Sequence, residues 1–326
     1  MEIQNKLKRN LFDFVNTYKA VFIMLVMVAI VSCTTDRFFT TSNLLNILRQ
    51  VAIYVILSTG YTLIISAGCI DLSVGHMLSL LGIIMAKLMK EAGVPVLLSF
   101  AIGILSGMIF ASINASISLK FNLAPFIVTL GMQQVYRGLA QIACNGVALA
   151  RLPSMAVFVG QGMVLGIPFS VVIMLAVILL GNLILRSTAL GRQILAVGGN
   201  ADAAYVSGIS VKKVKLFAYA LMGAGVGVAA IVMNGRVASA QPTAGTGLEM
   251  DAVAAVIIGG TRMGGGYGNV LGSLFGCLLV GVINNALNLL NVSAWWQWVA
   301  KGLLIITAVV LDSVTESIRA KSLVRK

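Results

Sequence analysis

Acid is scarce in this chain: ten Asp and Glu stand against 23 Lys and Arg in 326 residues, with one histidine and five prolines. Charged residues of both signs reach only 10%, against roughly a quarter in soluble domains. That excludes an ordinary water-facing surface. The four cysteines, Cys33, Cys69, Cys144 and Cys277, are dispersed without CxxC spacing, and no HExxH occurs, which excludes a disulfide framework and a zinc site. They read as reduced packing residues. His76, after Gly75 in an apolar segment, reads as a satisfied core histidine. No Ser/His/Asp set is present, and the turn Gly264, Gly265, Gly266 is not followed by Lys and Ser or Thr, so no phosphate loop binds ATP here. No catalysis, cofactor or metal is expected.

Hydrophobic residues make up 59% and the mean hydropathy is +1.00. The chain is therefore read as an all-α integral membrane protein of about ten helices at ~20 residues each, with no room for a sizeable soluble domain. Apolar spans are expected near 20–35, 44–66, 73–90, 95–118, 124–143, 163–185, 214–235, 249–261, 270–291 and 296–312. Residues 1–19 alternate Lys6, Lys8, Arg9 and Lys19 with apolar residues and read as an amphipathic lead-in, 20–312 as the transmembrane domain, and 313–326 as a tail. The first run lacks a small-residue cleavage site, so it is expected to be retained. A net charge of +13 sits in short clusters at span boundaries, without an aromatic-rich groove, which argues against nucleic acid. Ten spans put fifteen boundary basic residues on one side and five on the other, which places both termini in the cytoplasm.

The eighth span is too short to cross ~30 Å of hydrocarbon and is expected to be broken or re-entrant. Five spans lie on each side of the loop 145–162, so an internal repeat would be inverted. Gly68–Gly75 (GCIDLSVG) and Gly247–Ala254 (GLEMDAVA) echo one another by placing acids at a helix start after glycine. GxxxG pairs at Gly103/Gly107, Gly223/Gly227 and Gly272/Gly276 predict close helix contacts.

The longest polar interruption, 186–215, carries Arg186, Arg192, Lys212, Lys213 and Lys215 against one acid, Asp202. It reads as one or two short helices on the cytoplasmic face, either gripped by a partner or serving as a solvated connector. Candidate pathway or gating residues are of two kinds. Asp71 is a helix cap or a solute contact, as are Glu249 and Asp251, where acids entering a span are expensive. Gln134, Arg137 and Gln141 form a stripe on the fifth span, and Asn284, Asn288 and Asn291 form one on the ninth. Amides both donate and accept, which suits a neutral, hydroxyl-rich solute and equally suits bonding between helices.

Four stretches, Gly60–Gly75, Ala124–Ala140, Ala189–Val211 and Gly247–Ser273, resemble in order the permease subunits of bacterial ribose-type monosaccharide ABC importers. Cys69 stands where that family usually has a second glycine. The resemblance implies a pore of two permease subunits, alike or paralogous, in the cytoplasmic (inner) membrane bilayer. It further implies a periplasmic sugar-binding protein outside and ATP-hydrolysing subunits inside. The coupling element would contain Gly191, Arg192, Gly198, Gly199, Asn200, Ala201, Asp202 and Gly208. The competing classes are a stand-alone secondary transporter of a small polar solute, disfavoured by the scarcity of acids in the spans, and an ion channel, disfavoured by the lack of a filter-like loop.

Overall fold

The computed structural model describes residues 24–303 and, beyond them, 306, 307 and 310. The expected lead-in at 1–19 and the tail at 313–326 lie outside the described residues. Helices dominate: α1 (Met24–Thr34), α2 (Thr41–Ser66), α3 (Val74–Lys90), α4 (Val96–Phe121), α5 (Pro125–Cys144), α6 (Ser154–Gln161) and α7 (Phe169–Ser187). Two short helices follow, α8 (Ala189–Gly199) and α9 (Ala201–Val206), then α10 (Val211–Val237), α11 (Leu248–Ile258), α12 (Val270–Leu289) and α13 (294–303). Four two-residue strands make two small antiparallel pairs: β1 (Leu149–Ala150) with β4 (Ser239–Ala240), and β2 (Met163–Val164) with β3 (Ile167–Pro168). Among the described residues, α2, α4, α7, α10 and α12 are each long and apolar enough to cross a membrane. This is an all-α integral membrane fold with multiple transmembrane helices.

α2 is the axis of the molecule. Its residues from Val51 to Ser66 are all buried, as expected of a helix apolar on every side. α10 packs against α2 and α4, and the glycine spacings are the reason it comes so close. A Cβ on Gly107 would strike the carbonyl of Gly223, one on Gly223 would strike the carbonyl of Gly107, and one on Gly227 would stand 2.7 Å from Ile104 Cα. Gly272 and Gly276 likewise rest on the carbonyls of Gly259 and Ala255, joining α12 to the end of α11. Leu105, Ile109 and Ile113 of α4 and Leu175, Leu179 and Leu183 of α7 point outward, which is the composition a lipid-facing surface needs.

Two spans are broken. α3 is preceded by a non-helical leg, residues 67–73, and α11 by residues 238–247. At 11 residues α11 is only ~16 Å long, so the expectation of a short eighth helix agrees with the structure. The two helix starts meet. Gly245 N–H donates to Ser79 Oγ at 2.9 Å, and a Cβ on Gly75 would collide with the Gly245 carbonyl and the Glu249 carboxylate. The sixth span begins later than expected, at Phe169 rather than near 163. Gly162 is extended, Leu165 and Gly166 take positive φ to turn the β2–β3 hairpin, and Pro168 starts the helix.

The helix ends fall into two groups. At one end β1 pairs with β4, Lys87 Nζ and Lys90 Nζ donate to the carbonyls of Ala143 and Ala150, and Gln161 Nε2 donates to the Arg236 carbonyl. At the other, three chain segments meet backbone to backbone. Gly266 N–H donates to the Ser66 carbonyl at 3.0 Å, a Cβ on Gly198 would strike that same carbonyl, and Gly265 approaches both Gly198 and Gly68. Gly68, Gly265 and Gly266 have φ of +72°, +84° and +76°, the left-handed region that glycine adopts without steric penalty.

Candidate functional site

Asp71 holds the leg before α3 in place. Its Oδ1 accepts from Ser73 N–H at 2.8 Å and Ser73 Oγ at 2.6 Å, and its Oδ2 accepts from Asn114 Nδ2 at 2.9 Å. Tyr136 donates to Asn114 Oδ1 at 2.8 Å, Tyr61 to the Asp71 carbonyl at 2.6 Å, and Tyr219 to the Ile70 carbonyl at 3.1 Å. Leu72 N–H finds Thr129 Oγ1 at 3.1 Å. A leg without helix has backbone groups that the membrane interior cannot satisfy, and side chains from α2, α4, α5 and α10 satisfy these ones. The carboxylate is buried and fully engaged with protein, bracing the leg through Ser73 and Asn114 rather than capping the first-turn amides of α3.

Glu249 differs. It opens α11 where the two broken spans meet, is 4% exposed, and has one carboxylate oxygen without a hydrogen-bond partner. The other accepts a long bond, 3.4 Å, from Gln133 Nε2 of α5. His76, 6% exposed beside Gly75, has an unpartnered Nδ1 and so is not the satisfied core histidine expected. On α5, Gln134 and Arg137 are exposed and Gln141 is partly so. Gln134 and Arg137 sit near the middle of this 20-residue helix, which is not among the five long apolar helices, and an arginine facing lipid at such a position would cost about 2.5–3.5 kcal/mol. This face is therefore made for protein or water. The stripe read from the sequence marked the face but missed Gln133, the member that reaches Glu249.

Asp251 anchors a second buried network. Its Oδ2 pairs with Lys301 Nζ of α13 at 2.8 Å and accepts from Asn284 Nδ2 at 3.4 Å. Asn284 Nδ2 also donates to Tyr54 Oη at 3.1 Å, which accepts from Gln50 Nε2 at 2.9 Å. Asn288 accepts from Gln297 Nε2 at 2.9 Å, and Asn285 exchanges two amide bonds with Asn43 at 2.7 and 3.0 Å. The asparagines of α12 thus engage neighbouring helices, and Asn291 turns the chain with φ +53°. Lys301 and Tyr54 escaped the sequence reading because each is a single polar residue in an apolar run, and Asn43 and Gln50 because they lie at the polar start of α2 without a stripe.

The polar segment between α7 and α10 holds α8 and α9, broken at Asn200. Thr188 Oγ1 caps α8 at Gly191 N–H and Asn200 Oδ1 caps α9 at Ala203 N–H, at 3.1 and 2.9 Å. Gly191 lies against the carbonyls of Ile184 and Leu185, and Gly208 takes φ +84° where the segment turns into α10. Arg192, Gly199 and Asp202 are exposed, whereas Gly198 and Ala201 are partly buried. Tyr205 and Val206, 73% and 86% exposed, were not singled out from the sequence. Under α9 lies a cavity of about 740 Å³ lined by Cys69, Asp202, Tyr205, Lys215 and Tyr219, among others.

Helices that cross a membrane, two broken spans meeting inside, and a buried carboxylate with an unused oxygen define an integral-membrane permease. Among the described residues no group of three or more His, Cys, Asp or Glu is placed to hold a metal. The family described as "Branched-chain amino acid transport system / permease component" matches residues 43–309, and the chain belongs to that family as a permease subunit. The ribose import permease of Haemophilus influenzae is 40% identical over 294 residues, 89% of this chain and 91% of its own length. The ribose import permease of Bacillus subtilis is 40% identical over 314 residues, 95% and 97% of the two chains. The D-allose transport system permease protein of Escherichia coli K12 is 36% identical over 312 residues, 95% and 96%. No solved structure matches.

Proposed function

We propose that this chain is the membrane-spanning subunit of a bacterial ATP-binding-cassette importer, giving a neutral monosaccharide its path through the inner membrane. A periplasmic binding protein would deliver the sugar and ATPase subunits would supply the energy. The observation that carries the reading is the exposed polar face of α5 beside Glu249. A single copy leaves Gln134 and Arg137 mid-helix without cover, so a second permease subunit facing this one would both shield them and create a polar path between the copies. Similarity over nine-tenths of the chain to ribose and allose permeases favours a sugar over a branched-chain amino acid.

The finer architecture follows the same logic. About ten spans in two inverted five-helix halves are supported by the way the two legs arrive. Residues 67–73 lead from the end where Gly68 meets Gly198, whereas residues 238–247 lead from the end where β1 meets β4. The end bearing α8 and α9 would be cytoplasmic, because Lys120, Lys212 and Lys213 line one recess there and positive charge favours that side. Both termini would then lie on that side. Gly191, Arg192, Gly198, Gly199, Asn200, Ala201, Asp202 and Gly208 would form the coupling segment, with Tyr205 and Val206 offering an apolar contact to the ATPase. Reconstitution in liposomes tests the whole. ATP-dependent ribose accumulation should require the binding protein and the ATPase subunits, and ribose flux through the permease alone would refute the reading in favour of a secondary transporter or channel.

A further inference from the structure

Glu249 and His76 each keep one polar atom buried and unpaired at the same place, the junction of α3 and α11 behind α5. A buried acceptor without a donor is destabilising, more so if it is charged. Gln133 offsets little of this, since its 3.4 Å approach to Glu249 is at the limit of a hydrogen bond. Gly75 is what lets the carboxylate in, because any side chain there would occupy its position. Arg137 lies one turn beyond Gln133 on the same face of α5, exposed and in neither ion pair found among the described residues.

We infer that Glu249, Gln133, Arg137 and His76 form a saccharide-binding subsite at the meeting of the two broken spans. The inference rests on the proposed function and names where within that path the sugar is held. The chemistry is specific in what it takes. A carboxylate oxygen accepts from a hydroxyl, the guanidinium fork donates to two oxygens, and the glutamine amide does both. The adjoining acid and base disfavour a lone cation or anion, whereas a neutral polyol supplies donors and acceptors together. Sugar hydroxyls arriving from the α5 side displace the weak Gln133 contact and donate to the Glu249 oxygen it held, while the second oxygen, packed against Gly75, leaves the carboxylate short of donors. Asp71, fully bonded to protein, and Asp251, paired to Lys301, have no such free capacity.

The test uses the full complex with its ATPase subunits in nanodiscs, with D-ribose and L-leucine as probes and saturation-transfer NMR as the readout. Wild type should transfer magnetisation to ribose. Glu249→Gln and Arg137→Leu should weaken apparent ribose affinity roughly tenfold or more, the factor that a single charge-assisted hydrogen bond controls. Arg137→Lys, which keeps the charge and loses the fork, should fall between. Each variant is scored only in complexes that copurify intact and still hydrolyse ATP; Gln133→Leu, which removes the reaching amide without unpairing a charge, stands in for any that fails to assemble. Ribose transfer that persists undiminished in the assembled variants, or is absent from wild type, overturns the subsite while leaving the importer reading to the liposome assay. Transfer to leucine and not to ribose overturns the sugar reading itself.

Discussion

Replacing Lys301 by methionine tests whether the last described helix is held by charge. At 2.8 Å the Lys301–Asp251 attraction is about 6 kcal/mol at an effective dielectric near 20. Much of that is returned as desolvation, and the lysine side chain is 28% exposed whereas that of Asp251 is 3% exposed. The asymmetry sets the sign. Lys301→Met strands a buried carboxylate with only the 3.4 Å bond from Asn284, so the loss should fall at the low end of the 3–5 kcal/mol typical of broken buried pairs, about 3 kcal/mol. Asp251→Asn leaves the partly exposed lysine free to turn to water and should cost less. The double variant Asp251→Asn/Lys301→Met should recover most of the loss, giving a coupling of about 2 kcal/mol in a double-mutant cycle. The assay is denaturant unfolding of the detergent-solubilised subunit followed by tryptophan fluorescence, with Trp295, Trp296 and Trp298 on the same helix as reporters. Additive losses would refute the argument, because they would mean the two charges do not sense one another.

Gly107→Ala should part α4 from α10 and lower stability by several kcal/mol, whereas Gly131→Ala, with open space around it, should be neutral or stabilising by up to ~1 kcal/mol; thermal melts of the two variants decide this. Asp71→Asn should destabilise by about 2 kcal/mol, since an amide presents one acceptor where the carboxylate uses two, and protease sensitivity of the leg at 67–73 reports it. Tyr205→Ala should leave the subunit folded and in the membrane but reduce copurification of ATPase subunits severalfold, measured by pull-down. In cysteine-accessibility labelling of intact cells, position 161, which is exposed, should react with an impermeant reagent and position 199 should not; outside labelling at 199 would reverse the proposed orientation.

The apolar runs that form α2, α4, α10 and α12 were legible because lipid demands one composition over about 20 residues. The short eighth helix was legible from its length, and the likeness of Gly68–Gly75 to Gly247–Ala254 marked two helix starts, but the non-helical leg at 67–73 was not read as a break. Nor were its partners legible. Asn114, Tyr136, Tyr219 and Thr129 converge on Asp71 from α4, α5 and α10, and nothing in their local sequence marks them. Gln133 illustrates the limit most plainly. It stands one turn before Arg137 on the same face, yet the stripe was counted from Gln134, 100° further round the helix, so the residue that contacts Glu249 was passed over. α6 was hidden inside an expected loop because its eight residues lie between Pro153 and Gly162, both of which signal irregular chain.

The glycine junction where Gly68, Gly198 and Gly266 meet has a mechanical consequence. Side chains are the compliant part of a protein interior, since they change rotamer and take up small displacements before backbone moves. At this junction there are none to do so, and the hydrogen bond from Gly266 to Ser66 ties the surfaces directly. A force applied to α8 therefore arrives undamped at the end of α2 and at the turn after α11. Within one step it reaches the leg before α3 and the C-terminal end of α11.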